Sequence, residues 1–196
     1  MDLIEILLTY LKYNGKIYQY PKDEKTLFPY IFFIERNVDM MNKKETKEKI
    51  CAFYASDYHF EMITLPYISK KLEENKNIVI LTENNLKNTV DVLVSKINLK
   101  DEMKNKILSL NWENDDFNKF KIINKASKNN EEILIFVKGK ENYINNINKN
   151  IEKWTNNDVK SKVINCYDIS EIGDNIKEIT KKYNKVLCTN GEKEIE

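Results

Sequence analysis

The stretch KICAFYASDYHFEMITLPYISKKLEENKNIVILT, residues 49–82, contains two short apolar segments with a helical pattern between them. Residues 77–82, NIVILT, are apolar and β-branched without polar alternation, which is typical of a strand buried on both faces of a parallel sheet. Between the two predicted strands, apolar side chains recur at helical spacing: Phe60, Ile63, Tyr67, Ile68 and Leu72. Pro66 lies inside this helix and is expected to kink it or remove a backbone hydrogen bond. The order strand, helix, strand predicts one crossover unit of a parallel sheet.

The alternation of strand and helix patterns continues to residue 190. Four more apolar segments are predicted to be strands: 106–112, 131–139, 160–168 and 185–190. Helical patterns separate these segments, and their apolar stripes are predicted to be core: Leu86, Val90, Val94, Ile97, Phe117, Phe120, Ile123, Tyr143, Ile144, Ile147, Ile151, Trp154, Ile172, Ile176, Ile179 and Tyr183. Asn84 or Asn85 is the predicted cap of the second helix. About six strands separated by helices predict an α/β domain, with a mainly parallel sheet and helices on both faces.

The first 48 residues have a different pattern and are assigned to an N-terminal appendage, with the main domain at 49–196. The appendage is predicted to contain a short amphipathic helix, a short strand and a very apolar helix at 24–41. The charged segment 42–49 is the predicted linker. Burying one large apolar side chain contributes about 1.5–3 kcal/mol, so the apolar helix is expected to pack on the main domain or on a second copy. A homodimer through residues 27–41 is one such arrangement.

Charge and composition narrow the classes of partner. The 32 basic and 31 acidic residues nearly cancel, and Arg36 is the only arginine. Bidentate recognition of phosphate and guanine depends on arginine, so direct nucleic-acid binding is not expected. No segment reaches the ~20 apolar residues of a membrane span, and residues 1–15 lack the features of a signal peptide. No contact with a membrane is therefore predicted.

Three widely spaced cysteines, Cys51, Cys166 and Cys188, occur in apolar segments without a CxxC motif or a Cys/His cluster. This pattern indicates buried reduced thiols rather than a zinc site. An odd number of cysteines fits a reducing compartment, so the protein is expected in the cytoplasm with no bound metal.

The turn after the first predicted strand, YASDYH at residues 54–59, contains no glycine. Gly15, Gly139, Gly173 and Gly191 are the glycines of the chain, and none belongs to a GxxxxGK[ST] or GxGxxG motif. Without these motifs the backbone cannot close around a phosphate group. Hydrolysis of ATP or GTP by a P-loop mechanism is therefore excluded, and no cofactor is predicted.

Ligands of open α/β sheets bind beyond the carboxyl ends of the strands. The residues predicted to line such a site are Tyr54, Ser56, Asp57, His59, Glu83, Trp112 and Glu113, with Asn84, Asp115, Lys138 and Asp168 at the same edge. Ser56 or Asp57 is also expected to cap the following helix, a role that does not exclude ligand contact. Because the spacing defines no catalytic triad, no catalytic residue is assigned.

Residues 49–84 resemble the opening of the MEDS domain family, a sensory module named after methanogens, methylotrophs and a dichloromethane-responsive regulator. The resemblance lies in a strand followed by FYAS, an acid, a helix containing LPYI, a charged turn and an apolar strand with a polar end. It extends more loosely to residue 190. Lys49 and Ile50 stand where family members often have a histidine, which puts a histidine-dependent ligand contact there in doubt. The resemblance implies a RecA-like three-layer core without a phosphate loop, and a sensor of small organic compounds.

The sequence therefore predicts a non-catalytic cytoplasmic sensory or regulatory domain. It would bind a small organic ligand or a protein partner at the carboxyl ends of the strands and signal by protein contact. One alternative is a pure interaction module that regulates a transcription or signalling factor. Another is a small-molecule enzyme that uses His59 with Asp57 or Cys188.

Overall fold

The computed structural model describes residues 47–154 and 161–195. Residues 1–46, which include the apolar helix expected to mediate dimerisation, lie outside the described residues. Residues 47–49, assigned to the charged linker, instead begin the first strand of the domain. Within the described ranges the prediction of an α/β domain with a mainly parallel sheet is confirmed.

The described part of the chain contains six strands: β1 (Lys47–Tyr54), β2 (Asn77–Thr82), β3 (Ile133–Gly139), β4 (Ser161–Asp168), β5 (Lys185–Cys188) and β6 (Gly191–Glu194). It also contains seven α-helices: α1 (Asp57–Glu73), α2 (Lys87–Lys96), α3 (Asp101–Leu108), α4 (Asp116–Lys128), α5 (Glu141–Trp154), α6 (Ile169–Ile172) and α7 (Ile176–Thr180). A 3₁₀ turn, Gly173–Asn175, connects α6 to α7.

The strands form one sheet in the order β2-β3-β4-β1-β5-β6. The first five strands in the chain are parallel, and β6 is antiparallel to β5. The central strand is β1, in which Ile50 lies opposite Ile164 of β4 and Lys185 of β5. Ile50, Cys51, Ala52 and Tyr54 of β1 are buried, which explains why the second half of this strand is apolar.

Helices cover both faces of the sheet because successive residues of each strand point to opposite sides. In β1, Ile50 and Ala52 belong to a core shared with α1, α2 and α3. Cys51 belongs to the other core, which includes apolar side chains of α4, α5, α6 and α7. The predicted arrangement of helices on both faces is confirmed.

The two neighbouring strands β1 and β4 send the chain to opposite faces. After β1 the chain enters α1 on one face, whereas after β4 it enters α6 and α7 on the other. These connections also run in opposite directions along the sheet, as the single handedness of such crossovers requires. The carboxyl ends of β1 and β4 therefore form a topological switch point, the place where open α/β sheets bind ligands.

Two helices end in the same way before they lead into a strand. Asn75 follows α1 and Asn130 follows α4, each with a positive φ of 55° or 54°. In each case the asparagine N–H and the next N–H donate to carbonyl groups of the last helical turn, as in a Schellman motif. Both asparagines lie at the amino end of the sheet, where β2 and β3 begin.

The prediction of a strand at 106–112 is wrong. Residues 101–108 form α3, and Met103 and Ile107, four residues apart, are its buried side chains. Trp112 then packs into the core, and its indole N–H donates to the Ile107 carbonyl at 2.9 Å. A short apolar segment does not distinguish a strand from a buried helix face, which explains the error.

Four smaller expectations also need correction. Helix α2 begins after Leu86 without a side-chain cap, and Asn85 accepts a hydrogen bond from the Lys87 N–H instead. Phe117 is 67% exposed rather than core. The helix predicted over Ile172–Tyr183 is interrupted at Gly173, where φ is +49°. Ile176, also predicted to be core, is 37% exposed. The sheet is mainly parallel as predicted, and a two-residue turn before Gly191 (φ +97°) leads into its antiparallel strand β6.

Candidate binding site at the carboxyl ends of the strands

Helix α1 begins at the switch point with a side-chain cap. Ser56 has an extended backbone, and its Oγ accepts a hydrogen bond from the His59 N–H at 3.2 Å. The predicted cap is therefore Ser56. The His59 ring bends back over this turn, since its Nδ1 accepts the Ala55 N–H at 3.1 Å. Both side chains are exposed.

Asp57, the first residue of α1, forms an ion pair with a lysine from another strand. Its Oδ1 lies 2.7 Å from Nζ of Lys138, the penultimate residue of β3. The Lys138 side chain is only 3% exposed, whereas that of Asp57 is 46% exposed. The Lys138 ammonium also lies 4.7 Å from the ring centroid of Tyr54 and 5.5 Å from that of Phe60. The lysine is thus held by one carboxylate and two aromatic faces.

This ion pair occupies the position where many α/β folds hold a phosphate. The N-terminus of a helix attracts anions because its first N–H groups are unpaired and its dipole is positive there. In this chain the anion is the Asp57 carboxylate, and Lys138 supplies the opposing charge. A free phosphate would have to displace a carboxylate that is already part of the protein.

Glu61 lies one helical turn after Asp57 on the buried face of α1 and is only 1% exposed. Burial raises the pKa of its carboxyl above the ordinary value of 4.5, and the negative charge of Asp57 acts in the same direction. Its Oε1 has no hydrogen-bond partner among the described residues. An unpaired buried oxygen is costly, although a hydrogen bond between the Glu61 carboxyl and Thr89 acts against the rise in its pKa.

Glu83 connects the ends of β2 and β3. Its N–H donates to the Lys138 carbonyl at 3.0 Å, and its Oε2 accepts the Lys140 N–H at 2.8 Å. Gly139 lies beneath this connection. A Cβ there would be 2.6 Å from Cδ1 of Tyr143 and 3.0 Å from the Glu83 Cβ. Only glycine allows the three residues to approach this closely.

Two more charged side chains, Asp116 and Lys119, lie in the first turn of α4. The Tyr143 hydroxyl donates to the Asp116 carboxylate, with distances of 2.9 and 3.0 Å to its two oxygens. Lys119 is buried, and its ammonium donates to the Glu113 carbonyl. Burial lowers the pKa of Lys119 to about 8, although the charge of Asp116 opposes this change. Lys119 is not among the residues predicted for the site, but its place four residues before Ile123, in the apolar stripe of the helix, is a signal that it faces the core.

The structure brings some of the predicted site residues together and separates others. Tyr54 is buried beside Asp57. Burial raises its pKa, with smaller contributions that include the Asp57 and Glu83 carboxylates. Trp112 does not line a binding surface, because its side chain is buried and no strand ends there. Glu113 is exposed and lies 3.4 Å from the Lys87 ammonium.

Three exposed apolar side chains follow the ends of the central strands. Tyr58 and Met62 are separated by one turn of α1 and are 61% and 43% exposed. Ile169, the first residue after β4, is 39% exposed. We call these three side chains, together with Ser56, Asp57 and His59, the rim. The rim combines apolar groups with the half-exposed Asp57 carboxylate.

In the described ranges, 47–154 and 161–195, no group of three or more His, Cys, Asp or Glu side chains is arranged to hold a metal ion. No helix in these ranges is both long and apolar enough to cross a membrane. Comparisons of the chain with protein-family models, with curated proteins and with solved structures found no match.

Proposed function

We propose that residues 47–195 form a non-catalytic regulatory domain that acts by binding a protein partner at the rim. The observation that carries this proposal is the Asp57–Lys138 ion pair. In this pair, a carboxylate of the protein itself occupies the position at the N-terminus of α1 where many α/β folds bind a phosphate. Surface contact, rather than capture of a phosphate group, is then the function that the site supports best.

The exposed side chains of the rim support contact with a protein. Tyrosine and methionine are enriched in the centres of protein interfaces, and Tyr58 and Met62 are both exposed on one side of α1. The accessible charge beside them is the Asp57 carboxylate, which favours a basic group on the partner. The expected partner surface therefore presents apolar side chains next to a lysine or an arginine.

Binding of a small organic ligand at the rim is the second candidate, favoured by the MEDS-like sequence of residues 49–84. The half-exposed Asp57 could contact such a ligand directly. Tyr54 and Lys138 could do so only after a movement of α1, because both side chains are buried. The free cysteines Cys51, Cys166 and Cys188 fit the proposed cytoplasmic location.

A photo-crosslinking amino acid at position 58 tests the proposal in the cells that express the protein. A matched control carries the same group at Val92, which is 54% exposed but lies on α2, away from the rim. We expect one protein to be crosslinked from position 58 and not from position 92. That protein, once purified, should bind the full chain, and Met62→Ser should weaken binding about tenfold or more.

Equal crosslinking from both positions, or unchanged affinity in Met62→Ser, would contradict protein contact at the rim. A screen of alcohols, aldehydes, short acids and nucleotides by thermal unfolding separates the second candidate. A rise in melting temperature that Asp57→Ala abolishes would favour a small ligand at the rim over a protein partner.

A further inference from the structure

The buried ammonium of Lys138 depends on a carboxylate that water can reach. Its Nζ lies 2.7 Å from Asp57 Oδ1, and the Lys138 side chain is 3% exposed against 46% for Asp57. Its other contacts are the uncharged aromatic faces of Tyr54 and Phe60. A buried charge that loses its partner is strongly destabilising. A group that draws Asp57 outward therefore costs free energy, unless a second carboxylate replaces it.

Glu61 is the carboxylate in position to replace Asp57. The two residues are four apart in α1, so their Cβ atoms lie about 5–6 Å apart on one side of the helix. Glu61 is 1% exposed, and its Oε1 has no hydrogen-bond partner among the described residues. Lys138 is close enough for its charge to act on the Glu61 carboxyl. An unused buried oxygen thus lies near the buried ammonium at the start of α1.

The protonation of Glu61 depends on where Asp57 lies. Burial raises the pKa of Glu61, and the Asp57 charge acts in the same direction, whereas Thr89 of α2 and the Lys138 ammonium oppose the rise. Below this raised pKa the Glu61 carboxyl is neutral. When Asp57 moves away, its repulsion disappears and Lys138 lacks a carboxylate. Both changes favour the ionised form of Glu61 and lower its pKa.

We propose that Glu61 is a reserve counter-ion for Lys138, which ionises when a basic group of the partner draws Asp57 away. The Glu61 proton passes to water, and Lys138 exchanges one carboxylate for another. The part played by the partner rests on the proposed function, whereas the exchange of carboxylates does not. Because binding releases a proton, the affinity for the partner rises with pH wherever Glu61 is neutral in the free domain and ionised in the complex.

The exchange is tested in the full chain, with Asp57→Asn taking the place of the partner. This substitution removes the carboxylate from Lys138, as the partner's basic group does. In the original chain at pH 7, Glu61→Gln should stabilise the fold or leave its stability unchanged. In Asp57→Asn, the same substitution should raise the equilibrium constant for unfolding about tenfold, because Glu61 is then the carboxylate that pairs with Lys138. Denaturant titration measures both effects.

Glu73→Gln is the matched control, since Glu73 is exposed in the last turn of α1. Its effect should be the same in the original chain and in Asp57→Asn. If Glu61→Gln also has the same effect in both, Glu61 does not replace Asp57 and the proposal is wrong. Carbon-13 NMR of the carboxyl groups gives a second measurement. The pKa of Glu61 should be lower in Asp57→Asn than in the original chain, and an unchanged pKa would overturn the proposal.

If Asp57→Asn does not fold, the NMR titration is made with Lys138→Met. Removal of the ammonium should raise the pKa of Glu61, and an unchanged value would again overturn the proposal. Failure of this inference and failure of the proposed function are distinguishable. Exchange of the carboxylates without any protein crosslinked at the rim would contradict the protein contact alone. A crosslinked partner whose affinity does not change with pH would contradict the coupling alone.

Discussion

The two ends of the parallel sheet differ in how completely their charges are paired. At the amino end, Lys162 lies 2.8 Å from Glu48 and 2.9 Å from Glu192. Lys185 also pairs with Glu48, and the Tyr67 hydroxyl donates to Glu192. Each of these five groups has at least one partner, and together they connect α1 with β1, β4, β5 and β6.

At the carboxyl end of the sheet, the charged side chains are more deeply buried and have fewer hydrogen-bond and ion-pair partners. Lys138 pairs with Asp57 alone among the carboxylates of the described residues, and Glu61 has an unpaired oxygen. A fully paired network stabilises a fold, whereas incompletely paired buried groups cost free energy and are expected where a site serves binding. The contrast holds for the charged groups alone, because Ser161 Oγ at the amino end is also buried without a partner among the described residues. It agrees with the proposal that a partner binds at the carboxyl end.

The largest effect is expected when the Asp57–Lys138 pair is broken. Asp57→Asn leaves a buried ammonium without its carboxylate and should lower the free energy of unfolding by about 2–3 kcal/mol. Lys138→Met leaves Asp57, which water can reach, and should cost about 1 kcal/mol. Denaturant titration of both variants measures the difference, and equal losses would contradict the assigned asymmetry.

The same variant tests whether the Asp57 carboxylate occupies an anion-binding position. With Asp57→Asn, Lys138 and the N-terminus of α1 become available to an external anion. Inorganic phosphate at constant ionic strength should then raise the melting temperature of Asp57→Asn and leave the original chain unaffected. The double variant Asp57→Asn/Lys138→Met is the control, and a phosphate response in it would place the anion elsewhere.

Gly139→Ala tests how tightly the carboxyl end is packed. The new methyl group would have to displace the ring of Tyr143, whose hydroxyl is held by Asp116. We expect a loss of about 1–3 kcal/mol in denaturant titration. Gly139→Ala combined with Tyr143→Leu should recover part of this loss, and no recovery would mean that the Glu83 contact limits the packing.

The two ends should respond to pH in opposite directions. At the amino end, burial opposes ionisation of Glu192, but Tyr67 and Lys162 bind its carboxylate and hold its pKa below the ordinary value of 4.5. Its contribution to stability is therefore present above 4.5 and is lost as the pH falls through the lowered pKa. At the carboxyl end the pKa of Glu61 is raised by burial. Its contribution is complete below 4.5 and is lost as the pH rises through the raised pKa.

Unfolding curves over a pH series separate these contributions. Glu61→Gln should reduce the loss of stability that occurs as the pH rises above 4.5. Glu192→Gln should reduce the loss that occurs as the pH falls below 4.5, to which Glu48 also contributes. If Glu61→Gln did not change the loss of stability above pH 4.5, the fold would not hold the Glu61 carboxyl in its protonated form.

The smallest effect concerns the helix ends at the amino end of the sheet. Alanine disfavours a positive φ, so Asn75→Ala should cost about 1 kcal/mol, and Asn130→Gly should be neutral or slightly stabilising. Melting temperatures of the two variants measure this. A larger loss for Asn130→Gly than for Asn75→Ala would show that the asparagine side chains, rather than the backbone, determine these turns.

The elements that could be predicted from the sequence are those in which successive side chains have the same environment. The segment 77–82 was predicted with the observed bounds of β2, because every residue from Val79 onward is buried. The antiparallel strand β6 was missed because GEKE has no apolar pattern, although Asn190-Gly191 is a recognised hairpin signal. At the rim, Ser56 and Asp57 were found because they begin a helix.

The pairing of Asp57 with Lys138 could not be read from local patterns, because it joins residues from two different crossover units. The burial of Glu61 was equally hidden, since a charged residue in a helix is ordinarily assigned to its exposed face. Trp112 was assigned to a binding surface because the segment before it was interpreted as a strand. The Asp57–Lys138 pair and the burial of Glu61 depend on tertiary contacts, whereas the error at Trp112 arose from a local pattern.

The position of β1 at the centre of the sheet has a consequence for synthesis of the protein. The Cys51 thiol contacts the carbonyl of Lys185, 134 positions later in the chain, and the partners of β1 in β4 are almost as distant. While the ribosome makes the intervening residues, both edges of an apolar strand remain unpaired. Such segments attract chaperones and self-associate, so chains interrupted before residue 161 are expected to aggregate, and complete chains to fold slowly.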